Sequence, residues 1–410
     1  MRIGSGKALT LALAAIIIAA GDAGAQVKIA FIDPLSGGAS SAGTNAQKHL
    51  IYLIDKVNGS GGLNGEKLEL ISFDNKVDPQ ESLIALKKAL DEGARYVFQG
   101  NGSSVALAIT DAVLKYNERN PGKEVLYFNY AAVDPALTNA KCNFWHFRFD
   151  ADADMKMAAL TDFITKQPQI KKVYLINQDY SFGKAVAAAA RKMLAEKRPD
   201  IQIVGDELHP LQKVQDFSPY VAKIKASGAD TVITGNWSND MVLLIKAGKD
   251  AGLKVNWETY YGGSPGTVTA VREAGVGTLK QVSEWHKNAT PDLDATVAAF
   301  DKRFPGAENE YGYWRAKTMW EVFAAAARKA GSNDPVKVAR ALEGIKMQTP
   351  LGEVEMRADN HQILQPLYVS TLERGQKYDA EGTGLGWRTD AKVDGKATAL
   401  PTTCKMERPK

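Results

Sequence analysis

One pattern constrains this chain more than any other. From Gln26 onward, short runs of β-branched and aromatic residues alternate with windows of helical apolar periodicity. VKIAFID precedes a helical window over 42–57, KLELISF precedes one over 79–91, and YVFQG precedes a helix that starts at Ser103, after which comes EVLYFNY. The alternation restarts past Arg148, with a helix near 155–165, KKVYLIN, a helix after Gly183 and IQIVGDE. It continues with a helix over 218–226, DTVITG, a helix from Asn239, and VNWETYYGG. Parallel strands need a crossover, so a repeated strand–helix unit builds a parallel sheet covered by helices on both faces. The series is long enough to do this twice. The predicted fold class is α/β, with two doubly wound parallel-sheet lobes joined by a multi-strand hinge.

Beyond His286 the pattern changes to helices over 293–304, 313–330 and 335–343, then GEVEMR and QPLYVSTLE as strands, and a polar, Gly-rich end. These late elements lack a sheet of their own and are expected to complete the earlier ones. The predicted division is 26–148 plus 286–345 for lobe 1 and 149–285 plus 346–375 for lobe 2. Residues 376–410 are expected as a tail packed back on the lobes.

The N-terminal stretch obeys different rules. Arg2 and Lys7 flank ALTLALAAIIIAA, and Ala23-Gly24-Ala25 offers a small-residue cleavage site, so 1–25 reads as a secretory signal peptide with the mature chain starting at Gln26. The apolar run is too short to span a bilayer, and no cysteine at the cleavage site offers a lipid anchor. The net charge of +4 is spread without basic blocks, which argues against nucleic acid as a partner. In an exported chain Cys142 and Cys404 are expected to form a disulfide tying the C-terminal end to mid-chain, the alternative being two free thiols.

In open parallel sheets ligands bind beyond the carboxyl ends of the strands. The segments just past those ends in this chain are PLSGG, QGNGSS, YAAVDP, QDYSFG, NWSND and YGGSPG. Gly, Ser, Asn and aromatic residues dominate, while clustered acids, bases and nucleophiles do not. Such segments suit recognition of a small ligand better than bond chemistry. Gly100-Asn101-Gly102-Ser103-Ser104-Val105 lacks the third glycine of a dinucleotide fingerprint and the Gly-Lys-Ser/Thr ending of a P-loop. No Lys or Arg lies between Arg95 and Lys115 to hold a phosphate. What remains is a helix start where Ser103, with the N–H groups of Ser103 and Ser104, can hold a carboxylate. Local sequence allows equally that Ser103 only caps its own helix.

Other constellations fall away. Asp150-x-Asp152-x-Asp154 starts like a calcium loop, but Met155 stands at the glycine position and Thr161 at the bidentate acid. The five histidines have no metal-ligand spacing. Neither a metal nor a cofactor is expected, and there is no nucleophile elbow of the G-x-S-x-G kind. Trp314 and Trp320 recur at helical spacing and read as core, whereas Trp237 comes just after a strand end and is expected to face a cleft.

Taken in order, VKIAFIDPLSGG, GGLNGEKLELISFDN, VFQGNGSSVA, YAAVDPALTN, NQDYSFGKA, VQDFSPYVAKIKASGADTV and TPLGEVEMRADNHQ resemble the periplasmic solute-binding proteins of ABC transporters, specifically the Leu/Ile/Val-binding (type I) family. The resemblance covers Gln26 to about Leu372. It implies two α/β lobes, three crossover segments and a cleft that shuts on a ligand. It also implies that Ser103 binds a ligand carboxylate and that Ala131 and Ala132 contact ligand through the backbone. Val133 stands where amino-acid binders have a threonine, Phe182 near a usual tyrosine, and Gly262 where they place the glutamate that meets the ammonium group. Asp240 or Glu284 would have to substitute for that acid. Tyr130, Phe182, Trp237 and Tyr261 are expected as aromatic walls.

The implied function is that of a periplasmic monomer. It captures a carboxylate-bearing solute, by default a branched-chain amino acid, and delivers it to an inner-membrane ABC permease. The alternatives are an aromatic or other organic acid or an amide as cargo, and a ligand-sensing module. An enzyme fits the strand ends least.

Overall fold

The computed structural model describes Met1 and residues 26–306, 309–310 and 312–409. The signal peptide expected at 1–25 therefore lies, Met1 apart, outside the described residues.

The first lobe alternates β1 (Gln26–Asp33), α1 (Ser40–Gly59), β2 (Lys67–Asp74), α2 (Pro79–Asp91), β3 (Tyr96–Gln99), α3 (Ser103–Arg119), β4 (Leu126–Asn129) and β5 (His146–Arg148). Its sheet runs in the order β2-β1-β3-β4-β5, parallel throughout. The strands β3 and β4 are buried on both faces, which is why YVFQ and LYFN carry no polar alternation. Asp78 starts α2 by accepting from Gln80 and Glu81 N–H, with Pro79 as the first helical residue.

The second lobe repeats the scheme with α4 (Ala153–Ile164), β6 (Lys172–Gln178), α5 (Ser181–Lys197), β7 (Gln202–His209), α6 (Ser218–Ser227) and β8 (Thr231–Thr234). It goes on through α7 (Asn239–Asp250), β9 (Asn256–Thr259), α8 (Thr267–Val271) and β10 (Leu279–Ser283). Then come α9 (Ala295–Arg303), α10 (Trp314–Ala330) and α11 (Pro335–Leu342), followed by β11 (Lys346–Thr349), β12 (Gly352–Met356), β13 (Ile363–Leu364), β14 (Leu367–Arg374) and β15 (Leu385–Val393). The seven-stranded sheet is ordered β15-β14-β10-β9-β8-β6-β7, with β14 and β15 antiparallel at one edge.

Two expectations need correction. The late strands do not all complete the earlier sheets, because β11, β12 and β13 pair into a three-stranded sheet of their own. Nor is 376–410 only a tail: β15 pairs with β14 as a true edge strand, and the residues after it run back to the first lobe. There Thr402 bonds the Thr138 carbonyl and the Asn139 side chain, and Cys404 is disulfide-bonded to Cys142.

The helix α10 packs on the first sheet. Phe323 lies against Tyr96, Phe98 and Phe128, with Trp320 beside Phe98. Trp314 stacks on Trp285 at 5.3 Å between ring centroids, so both Trp314 and Trp320 are core residues.

At the hinge, Arg148 is fully buried and donates to the Asp134 carbonyl, Thr138, Asp152 and Gln362. Asp152 caps α4 by accepting from Met155 N–H, and Asp150 pairs with Lys156 at 3.0 Å. The acidic triplet is thus a helix start and an ion pair.

Candidate functional site

One cavity takes in the carboxyl ends of both sheets and the chain crossings between them. Its first wall belongs to lobe 1. At the β3–α3 turn Gly102 adopts φ 101° as the residue before the helix, a conformation that needs glycine. Ser103 therefore occupies the first helical position and is not the cap. Its Oγ accepts from Asp134 N–H at 3.2 Å, which leaves the hydroxyl hydrogen free to be donated into the cavity that Ser103 lines. The first N–H groups of α3 lack intrahelical acceptors and carry the positive end of the helix dipole.

That turn is braced from below. The Asp33 carboxylate accepts from Gly100 N–H at 3.2 Å, from Asn101 N–H at 2.9 Å and from the Tyr130 hydroxyl. Burial pushes the Asp33 carboxyl up to about 7, against the lowering effect of those donors. Tyr130, expected as a cavity wall, lies behind the turn, where its ring packs beside Tyr313.

The segment after β4 continues this wall. Ala131, Ala132 and Val133 do line the cavity, but the N–H groups of Ala131 and Ala132 donate to Asn129 Oδ1 at 3.2 and 2.7 Å. They are already engaged, leaving Val133 N–H as the one of the three that Asn129 does not hold.

The second wall is aromatic. Tyr180, Trp237, Tyr260 and Tyr261 come from the β6–α5, β8–α7 and β9–α8 connections, and Phe182 from the first turn of α5. Phe182 touches the rings of Tyr180, Tyr260 and Tyr261 at 5.9–6.1 Å between centroids. Trp237 Nε1 donates to the Tyr180 hydroxyl at 2.8 Å. Tyr180 and Tyr260 escaped sequence reasoning, although both sit just past strand ends.

Two expected residues are absent from the lining. Ser104 is half-buried beside it. A side chain at Gly262 would meet Thr259 Oγ1 at 2.7 Å and the Lys280 carbonyl at 3.3 Å, so this position faces the interior of lobe 2. Of the two acids expected to compensate, Asp240 is held by Gln178 Nε2 and Gln212 N–H and does not line the cavity, whereas Glu284 does.

Glu284 belongs to a charged cluster at the lobe junction that no local motif announces. Arg315 Nη1 donates to Glu284 Oε1 at 2.9 Å, Arg315 Nε lies 3.6 Å from Asp150, and Lys156 Nζ lies 3.0 Å from Asp150. Burial pushes the Glu284 carboxyl up, but Arg315 and Lys156 outweigh it and hold the group below the usual carboxylate range.

The lobes also touch at the rim. Ser238 Oγ donates to the Gly38 carbonyl at 3.2 Å and lies 3.1 Å from Ser41 Oγ. Glu381 N–H donates to Glu310 Oε2 at 2.7 Å. Among the described residues no group of His, Cys, Asp and Glu could hold a metal ion, and no helix is long and apolar enough to cross a membrane.

Two open α/β sheets closing on one cavity define a two-lobed ligand-binding protein. Known proteins give that class its family. A profile described as periplasmic binding protein matches residues 26–377, and the chain belongs to that family. It is 35% identical over 405 residues, 95% of each chain, to Leu/Ile/Val-binding protein homolog 4 of Brucella melitensis. The closed crystal structure of a leucine-, isoleucine-, valine-, threonine- and alanine-binding protein from Brucella ovis matches with a TM-score of 0.83 at 34% identity, covering 94% of this chain and 100% of that one. A Rhodopseudomonas palustris solute-binding protein of an ABC transporter, in complex with 3,4-dihydroxybenzoic acid, matches with a TM-score of 0.75 at 20% identity, over 90% of this chain and 98% of that one. That last likeness speaks to the fold alone.

Proposed function

We propose that this protein is the periplasmic capture component of an ABC importer. It takes a small carboxylate-bearing solute, by default leucine, isoleucine or valine, and hands it unaltered to an inner-membrane permease. What supports the reading is the helix start at Ser103, a residue that lines a cavity whose other wall is lobe 2. A carboxylate there gains charge-assisted hydrogen bonds of about 1.5–3 kcal/mol each. The names of the relatives that are 35% and 34% identical support a branched-chain amino acid.

Closure results from contacts that exist only when both lobes meet the ligand, so that binding energy shifts the population toward the shut form. The export leader expected at 1–25 supports a periplasmic location.

A second reading, an aromatic acid as cargo, draws on the aromatic side chains of the lobe 2 wall. Thermal unfolding of the mature protein across a panel of amino acids and aromatic acids separates the two. A ligand at about 100 times its Kd adds ~2.7 kcal/mol. A shift with leucine, isoleucine or valine supports the first reading, and a shift confined to benzoates supports the second.

A further inference from the structure

The carboxylate reading leaves the charged wall of the cavity unexplained. Glu284 is 3% exposed and lines the cavity, yet its Oε2 makes no hydrogen bond among the described residues. Its other oxygen is fixed by Arg315. Arg315 is braced in turn by the Asp150–Lys156 pair and by the Tyr313 ring, 4.5 Å from the guanidinium carbon. A buried carboxylate oxygen without a donor is costly. Here it is held by its Arg315-bound partner oxygen in a residue that lines the cavity.

The two anchors are linked through Tyr313. The Tyr313 hydroxyl lies 3.3 Å from Asn101 Oδ1 in the turn that carries Ser103, and the Tyr313 ring carries Arg315 on its face. The formal charges of Asp150, Lys156, Glu284 and Arg315 cancel. A ligand that brought only a carboxylate would add an uncompensated negative charge to this enclosed space, whereas one with its own ammonium group would not.

Resting on the carboxylate reading, we propose that Glu284 Oε2 accepts from a ligand ammonium group and is the residue that selects zwitterionic α-amino acids over simple organic anions. The acid reaches the cavity from the end of β10 and is oriented by Arg315 of α10, so position 262 needs no acid at all. Asp150, Lys156 and Arg315 are positioning residues for it.

The test is calorimetric binding of L-leucine and of 4-methylpentanoate, which has the same carbon chain without the ammonium group, to wild type and to Glu284→Gln. Wild type should bind leucine at least ~100-fold more tightly than 4-methylpentanoate. Glu284→Gln should collapse that ratio by weakening leucine while leaving 4-methylpentanoate unchanged or improved. Equal binding of the two ligands by wild type, tighter binding of 4-hydroxybenzoate than of leucine, or undiminished leucine binding by Glu284→Gln would each overturn the inference. In those cases a Ser103→Ala variant that still weakens the bound acid shows that the carboxylate reading survives. If no acid binds, both fail. Should Glu284→Gln not fold, the two-ligand comparison on wild type decides alone.

Discussion

The two lobes start from the same device and finish differently. At Gly43 a Cβ would come within 1.8 Å of the Pro34 carbonyl oxygen, and at Gly183 within 1.9 Å of the Gln178 carbonyl oxygen. In both lobes a glycine lets the helix that follows the first strand pack against the end of that strand. From there lobe 1 builds its wall from backbone, with Asp33 holding the Gly100–Asn101 peptides and Asn129 holding Ala131 and Ala132. Lobe 2 builds its wall from rings in edge and tilted contact, with the Trp237–Tyr180 hydrogen bond among them. The difference teaches a division of labour. Under the proposed function, a precast polar cradle reads charge and direction, while an aromatic surface arriving on closure reads shape and excludes water.

Breaking the cradle should do the most harm. Asn129 is fully buried and also bonds the Ala132 carbonyl, so Asn129→Ala leaves several backbone groups unsatisfied. A loss of about 3 kcal/mol in ligand affinity, roughly 100-fold, is expected by calorimetry. Breaking the aromatic wall should do less. Trp237→Ala is expected to weaken binding by about 2 kcal/mol and to broaden the range of accepted side chains, checked with a panel of amino acids.

The brace under the cradle carries a pH signature. Because the Asp33 carboxyl is raised from the ordinary 3.8 to about 7, the folded chain between those values holds a proton that the unfolded chain has released. Its stabilising contribution is complete below the lower value and is lost as pH rises through the upper one, by up to about 1.4 kcal/mol per pH unit. Urea unfolding between pH 4 and 8 should show this fall, and Asp33→Asn should flatten it.

The smallest effect is expected at the rim. Ser238→Ala removes the bond to the Gly38 carbonyl and the contact with Ser41, costing about 0.5–1.5 kcal/mol in ligand affinity with unchanged stability of the ligand-free protein. An effect as large as that of Asn129→Ala would mean that the lobes, not the cradle, hold the ligand.

The fold was readable where burial is one-sided or complete. The helices at 79–91 and 335–343 and the strands β3, β4 and β8 declare themselves by caps and unbroken apolar runs. LGWRTDAKV did not, because β15 is an edge strand with no buried residue from Arg388 on, so that it looks like a polar tail. LKQVS mixes Lys and Gln into β10, since those side chains meet Glu258 and the cavity.

In the site, Ser103, Phe182 and Trp237 were legible because each sits just past a strand end. That the Ala131 and Ala132 N–H groups are held by the Asn129 side chain was not legible, because it is a tertiary detail. Asp150, Lys156, Glu284 and Arg315 were illegible as a group, since four distant positions meet only at the hinge.

The most direct test of the account is a crystal structure of the protein with L-leucine bound. It should place the ligand carboxylate within hydrogen-bond distance of Ser103 Oγ and the N–H groups that open α3, with the Trp237 wall closed over the side chain. Leucine bound elsewhere, with the turn at Ser103 bare, would contradict it.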